Sequence, residues 1–189
     1  HIAYAQDDMK TAFEAFREGI EIARRLPALA PDAQDLKRDL GASELNLAML
    51  YLQTDELGLA EDHYRQARTI FEELVAAFPD VPGRRNELSL VYRHMSQLEY
   101  LKGNPQASMD LSRKAIALLE ELHRSEQSLH SRVSLAGALI SLAQSSKKLS
   151  DLERARELLA PIADQRENNM EVSSVFAELA EIENAISPK

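Results

Sequence analysis

Apolar residues along this chain recur three and four positions apart, and the stretches that show the pattern are separated by short polar breaks. Ala115, Ile116, Leu118, Leu119 and Leu122 form one such stripe, a spacing that gathers them on one face of an α-helix. Breakers and capping residues mark the ends. Asp55 precedes "ELGLAEDHYRQARTIFEELVAAF", and Asn104 stands before Pro105, a cap followed by a proline at the first helical position. Ser150 with Glu153 reads as a capping box. The pattern predicts a helical stub at 1–5 and helices over 7–26, 32–53, 56–78, 82–102, 105–124, 127–148, 151–166 and 170–186. Short linkers such as "PALAPD" and "PDVPG" join them.

The stripes are copies of one another. "REGIEIARRL" (17–26), "RQARTIFEEL" (65–74) and "RKAIALLEEL" (113–122) begin on Arg17, Arg65 and Arg113, spaced 48 residues apart, and end on Leu26, Leu74 and Leu122. Pro31-Asp32 returns as Pro79-Asp80, and Leu40 as Leu88. Small residues recur at two further registers: Ala12, Ala60, Ser108 and Ala155, then Ala48, Ser96 and Ala143. Small side chains let two helices approach closely, as a stacked hairpin requires. A fixed period of this kind marks a repeat array in which each hairpin needs its neighbours to bury its apolar stripe. The reading is an all-α protein, a right-handed α-solenoid of antiparallel helix hairpins forming one domain over 1–189. Within it, 1–26 is a truncated first repeat, 32–78, 82–124 and 127–166 are hairpins, and 170–186 is a capping helix. The chain begins with His1 rather than Met and is read as part of a longer protein.

The residues resemble the tetratricopeptide repeat (TPR) family. "NLAMLYLQTDELGLAEDHYRQA" (46–67) carries Asn46, Leu47, Ala48, Tyr51, Ala60, Tyr64 and Ala67 at the family's positions. "MKTAFEAFREGI" (9–20) matches the second helix through Ala12, Phe16 and Gly19, and "KLSDLERARELLAPI" (148–162) through Asp151, Leu152, Ala155 and Leu159. "YLKGNPQASMDLSRKAI" (100–116) matches through Gly103, Asn104 and Ala115, but Ser108 and Ser112 replace the usual alanine and aromatic. Ile162 likewise replaces a small residue. The repeat is longer than the family's, so each helix gains about two turns. Long-helix arrays of this kind are similar to the non-catalytic regions attached to bacterial signalling proteins, including some Ser/Thr kinases.

Composition agrees with helices and removes several chemistries. Of 189 residues, 44% are hydrophobic and only 5% aromatic, with 6 Gly and 7 Pro, so strand formers and breakers are both scarce. The net charge of −9 disfavours nucleic-acid binding, which depends on phosphate contacts. The absence of cysteine removes disulfides and thiolate chemistry and suits a cytoplasmic protein. No apolar run approaches a membrane span of ~20 residues. His1, His63, His94, His123 and His130 form no HExxH, the six glycines form no phosphate loop, and no acidic cluster has calcium-loop spacing. His123 and His130, flanking "RSEQSL", read as soluble surface residues. The pairs Glu72-Glu73 and Glu120-Glu121 are successive helix residues that point apart. No enzyme activity, cofactor or metal is expected of this segment.

The resemblance implies a concave groove lined by first-helix residues. Carried onto this chain, these are Leu45, Asn46, Met49 and Leu52 in the second repeat, and Arg93, His94, Gln97 and Tyr100 in the third. In the fourth they are Ile140, Ser141, Gln144 and Lys147, and Tyr4 belongs to the truncated first repeat. The basic clamp by which chaperone-binding relatives hold a terminal carboxylate is not reproduced, because Leu45, Met49 and Gly137 stand in its place. The function implied is a protein–protein interaction scaffold that receives a peptide or helix of a partner. The alternative is a regulatory region of a larger signalling protein such as a bacterial Ser/Thr kinase. Self-association through the truncated first repeat is a further expectation. Within an acidic chain, 82–102 holds Arg84, Arg85, Arg93 and Lys102 against Glu87 and Glu99, and 127–148 holds Arg132, Lys147 and Lys148 with no acid. A groove built on these two helices is expected to prefer an acidic partner.

Overall fold

The computed structural model describes residues 2–25 and 34–187, and of residues 2–10, 23 and 24 the backbone alone. Leu26, Pro31-Asp32, the linker "PALAPD", the start of the second expected helix and the Tyr4 side chain therefore lie outside what is described. Every described element is helical: α1 (Ile2–Arg25), α2 (Gln34–Gln53), α3 (Leu57–Ala77), α4 (Pro82–Leu101), α5 (Pro105–Glu126), α6 (Leu129–Ser146), α7 (Leu149–Leu159) and α8 (Met170–Ile186), with a short 3-10 helix (Ala160–Gln165) after α7. The all-α expectation and its order of helices hold.

Three local expectations are corrected. The stub at 1–5 and the helix at 7–26 are one continuous helix, α1. Ser150 is not a cap, because α7 starts one residue earlier. Ser146 stands at this turn instead, accepting from the Lys148 amide and donating to Asp151. Neither Asp55 nor Asn104 caps a helix with its side chain: Asp55 takes a left-handed φ of 62° before α3, and Asn104 donates to Glu99. Pro161 has no amide hydrogen to continue the ladder, so α7 stops at Leu159 and the chain tightens into the 3-10 turn.

The chain divides into two compact units, His1–Arg84 and Arg85–Lys189. In the first, Gly41 of α2 lies against Ile70 and Phe71 of α3, where a Cβ would stand 2.9 and 3.0 Å from them. Ala48, Ala60, Ala67 and Phe71 are buried in the same unit. Glu44, a carboxylate with almost no exposure, meets His63 Nδ1 at 2.6 Å, and the His63 ring stacks on Tyr51. A buried charge needs such a partner.

In the second unit α6 is the central helix, buried on nearly every side from Ser131 to Ser145. Its ends are well defined: Ser128 accepts from the Ser131 amide, and Lys147 closes it in the left-handed conformation. The serines that break the TPR-like pattern have a physical role. Ser96 (α4), Ser108 and Ser112 (α5) and Ser145 (α6) are all buried and share hydrogen bonds of 2.6–2.9 Å, with Ser96 at the hub. The space an alanine and an aromatic would fill is closed by hydroxyls satisfying one another. Finally, α8 lays Val172, Val175, Leu179 and Ile182 against the rest of the unit, a 3-4-3 spacing.

A candidate docking cleft on the second unit

Helices α4, α6 and α8 each contribute one wall to a cleft of about 580 Å³. Leu90, Val133 and Val175 form its apolar surface, and Met170, 88% exposed, stands at its edge. An 88% exposed methionine beside a cleft departs from its usual burial, and an apolar patch beside polar groups is the ordinary form of an interaction site.

Two polar rungs cross these three helices. In the first, the Asn86 amide Nδ2 donates to His130 Nε2 at 2.8 Å, and His130 Nδ1 donates to Glu171 at 2.8 Å. That pattern fixes the imidazole tautomer. In the second, Arg93 of α4 reaches across α6 to Glu178 of α8, Nη2 to Oε2 3.6 Å. Each helix advances seven residues between rungs: Asn86 to Arg93, His130 to Gly137, Glu171 to Glu178. Seven residues are two turns, so the rungs lie about 10 Å apart.

Gly137 makes the second rung possible. A Cβ there would stand 2.8 Å from both Cζ and Nη2 of Arg93 and 3.0 Å from Nη1. The guanidinium thus occupies the place of a side chain on α6. Arg93 Nε is buried and, among the described residues, meets no hydrogen-bond acceptor. Burial raises the Glu178 pKa above the usual carboxylate value, with Arg93 pulling it down and Glu181 pushing it further up.

Past Arg93 a second, more polar cleft of about 240 Å³ opens, lined by His94, Gln97, Ser141, Gln144 and Glu181. Burial, with Arg93 beside it, depresses the His94 pKa to about 4, so this ring is neutral at pH 7. Arg93, His94, Gln97, Ser141 and Gln144, read from the sequence as groove residues, therefore do converge. Tyr100 and Lys147 pair with one another, the ammonium 5.3 Å over the ring and 3.3 Å from the hydroxyl. Ile140 is fully buried core rather than groove lining. In the first unit Leu45 is likewise buried, Met49 and Leu52 are half-buried, and Asn46 is exposed.

Sequence reasoning missed the α8 wall. Glu171 and Glu178 stand on the expected capping helix, and from the sequence His130 reads as a surface residue. A signal existed in the seven-residue spacing shared by the three helices.

His123 Nδ1 pairs with Ser131 Oγ at 2.9 Å, its pKa lowered by burial and by Arg132. Among the described residues no group of three or more His, Asp or Glu could hold a metal ion, and no helix is long and apolar enough to cross a membrane.

No family model matches this chain, and no curated protein matches it. Among solved structures, it is similar to kinesin light chain nearly identical TPR-like repeats from Podosopora anserina. That likeness has 18% identity over 94% of this chain and 99% of the other, with a TM-score of 0.39. A TM-score that low fixes neither family nor function.

Proposed function

We propose that this chain is a non-catalytic, TPR-like interaction module whose second unit receives a peptide or helix of a partner protein between α4, α6 and α8. The observation that carries the reading is the cleft itself. Its apolar lining of Leu90, Val133 and Val175 lies between two polar rungs, with Leu90 and Met170 exposed along it. Rigid helices, rather than loops, set the distance between its walls, so a ligand meets a preorganised surface.

The expectation of an acidic partner needs revision within this reading. It counted the cations of α4 and α6 but not α8, which sets Glu171, Glu178 and Glu181 along the same face. Arg93, the cation on which it leaned, already faces Glu178. An acidic segment would have to displace that carboxylate.

The test is capture from the native cell extract with the wild-type chain and with Ser134→Trp, which fills the cleft from a half-buried rim position. A protein retained by wild type and lost with the variant, at equal helicity, supports the reading. An identical set of captured proteins overturns it.

A further inference from the structure

The Arg93–Glu178 rung divides the α4–α6–α8 face into compartments of different character. The first cleft is mainly apolar, whereas His94, Gln97, Ser141, Gln144 and Glu181 line the second. Four charged side chains line the two clefts among the described residues: Arg93 against Glu171, Glu178 and Glu181. Glu171 is hydrogen-bonded by His130 and Glu178 is met by Arg93. Glu181, exposed and one turn beyond Glu178, makes no ion pair with a described residue. Two like charges one helical turn apart repel, and a cation placed between them relieves both. Lys147, which closes α6, is turned onto Tyr100. At longer range the net charge of −9 draws cationic segments in and repels anionic ones.

We propose that the segment received on this face carries a lysine or arginine that sits in the second cleft against Glu178 and Glu181, beside an apolar side chain buried in the first cleft. This rests on the cleft being a docking site and adds the chemistry of its occupant. The cleft centres lie about two helical turns apart, roughly 10 Å. That separation is about three residues of an extended segment, at ~3.3 Å each.

Panning a phage-displayed random peptide library on the intact chain tests the assignment. Selected peptides are then synthesised and titrated by fluorescence polarisation against wild type, Glu181→Gln, Glu181→Lys and Ser134→Trp. The expected peptides pair an apolar residue with Lys or Arg about three positions away. Glu181→Gln weakens them about two- to fivefold, as loss of an exposed ion pair should. Glu181→Lys weakens them further, and Ser134→Trp abolishes binding. Glu181 is exposed, so its variants keep the fold; Leu90→Glu, also at an exposed position, serves in place of Ser134→Trp should that variant unfold. Peptides blocked by the cleft variants but acidic or uncharged, or indifferent to Glu181→Gln, overturn the cation assignment and leave the docking cleft standing. Selection of no peptide, or of peptides that ignore the cleft variants, overturns both.

Discussion

Replacing Gly137 by alanine sets two effects of similar size against each other. Gly137 sits inside α6 with ordinary helical backbone, where alanine is the better helix former by ~0.5–1 kcal/mol. The new methyl would stand 2.8 Å from the Arg93 guanidinium, well inside the ~3.5–4.0 Å of a comfortable carbon contact. The methyl is fixed by the backbone, and the guanidinium is the far end of a flexible side chain, so Arg93 moves. Withdrawing it by about 1 Å lengthens a pair already 3.6 Å apart. At a near-surface effective dielectric, and discounted for solvent screening because Glu178 is 39% exposed, the loss is about 1 kcal/mol. The two terms nearly cancel, so the urea midpoint should barely move. The Glu178 carboxyl should respond instead: Arg93 lowers its pKa, so moving Arg93 away raises it further. Carboxyl carbon NMR titration reads that shift directly. A Glu178 titration that is unchanged or moves downward would refute the geometry of the rung. So would a destabilisation above ~2 kcal/mol, because it would mean the backbone, not Arg93, had to yield.

Three further outcomes follow from the packing. Ala115→Leu inserts bulk at a position with no exposure and should destabilise by ~1–3 kcal/mol in urea unfolding, as overpacked sites do; an unchanged midpoint would contradict the close helix contact assigned to it. Ser96→Ala removes the hub of the serine network and leaves the Ser112 and Ser108 hydroxyls short of a partner, so it should lose about 1–3 kcal/mol, more than the ~1 kcal/mol for the terminal Ser112→Ala. Equal effects would mean the hydroxyls re-pair within α5. His94 has a folded pKa depressed from 6.5 to about 4, so the unfolded chain takes up its proton first and stability falls as pH drops from 6.5 towards 4. The ring is only half-buried, which places the loss at roughly 1–3 kcal/mol. His94→Gln should flatten that part of a pH series of melts, and a wild-type slope in the variant would show that another group is responsible.

The helices were legible because their signals are local and repeated. Ala48, Ser96 and Ala143, and likewise Ala12, Ala60, Ser108 and Ala155, stand out as close-contact positions by their spacing, and all are buried except Ala12, which is half-buried. What the period could not reveal was how the exceptions are accommodated. Ser108 and Ser112 look like departures in the linear sequence. They make sense only once folding brings Ser96 and Ser145 within hydrogen-bond distance. The α7 start was misplaced because Ser150 lies inside that helix, whereas α5 begins at Pro105 as expected even though Asn104 gives its side chain to Glu99. The site was legible in part: Arg93, His94, Gln97 and Gln144 share one stripe of first-helix positions and do converge. Ile140 failed because α6 is enclosed on nearly every side, so a position that faces a groove on a two-sided helix faces core here.

A repeat argument treats the terminal helix as a cap and leaves its charges out of the groove. A cap must present an apolar face to the last hairpin, and α8 does so through Val172, Val175, Leu179 and Ile182. A helix has further faces, however, and Glu171 and Glu178, two turns apart, stand on the α8 wall that meets α4 across α6. The residue that ends the array's hydrophobic surface and the residue that sets the charge of its cleft are neighbours on one helix. Replacing an apolar α8 residue should therefore lower stability, whereas replacing Glu178 or Glu181 should alter what the cleft accepts. The two consequences are separable because Glu181 is exposed while Val175 is buried, so the charge of this face can change without loss of the fold that presents it.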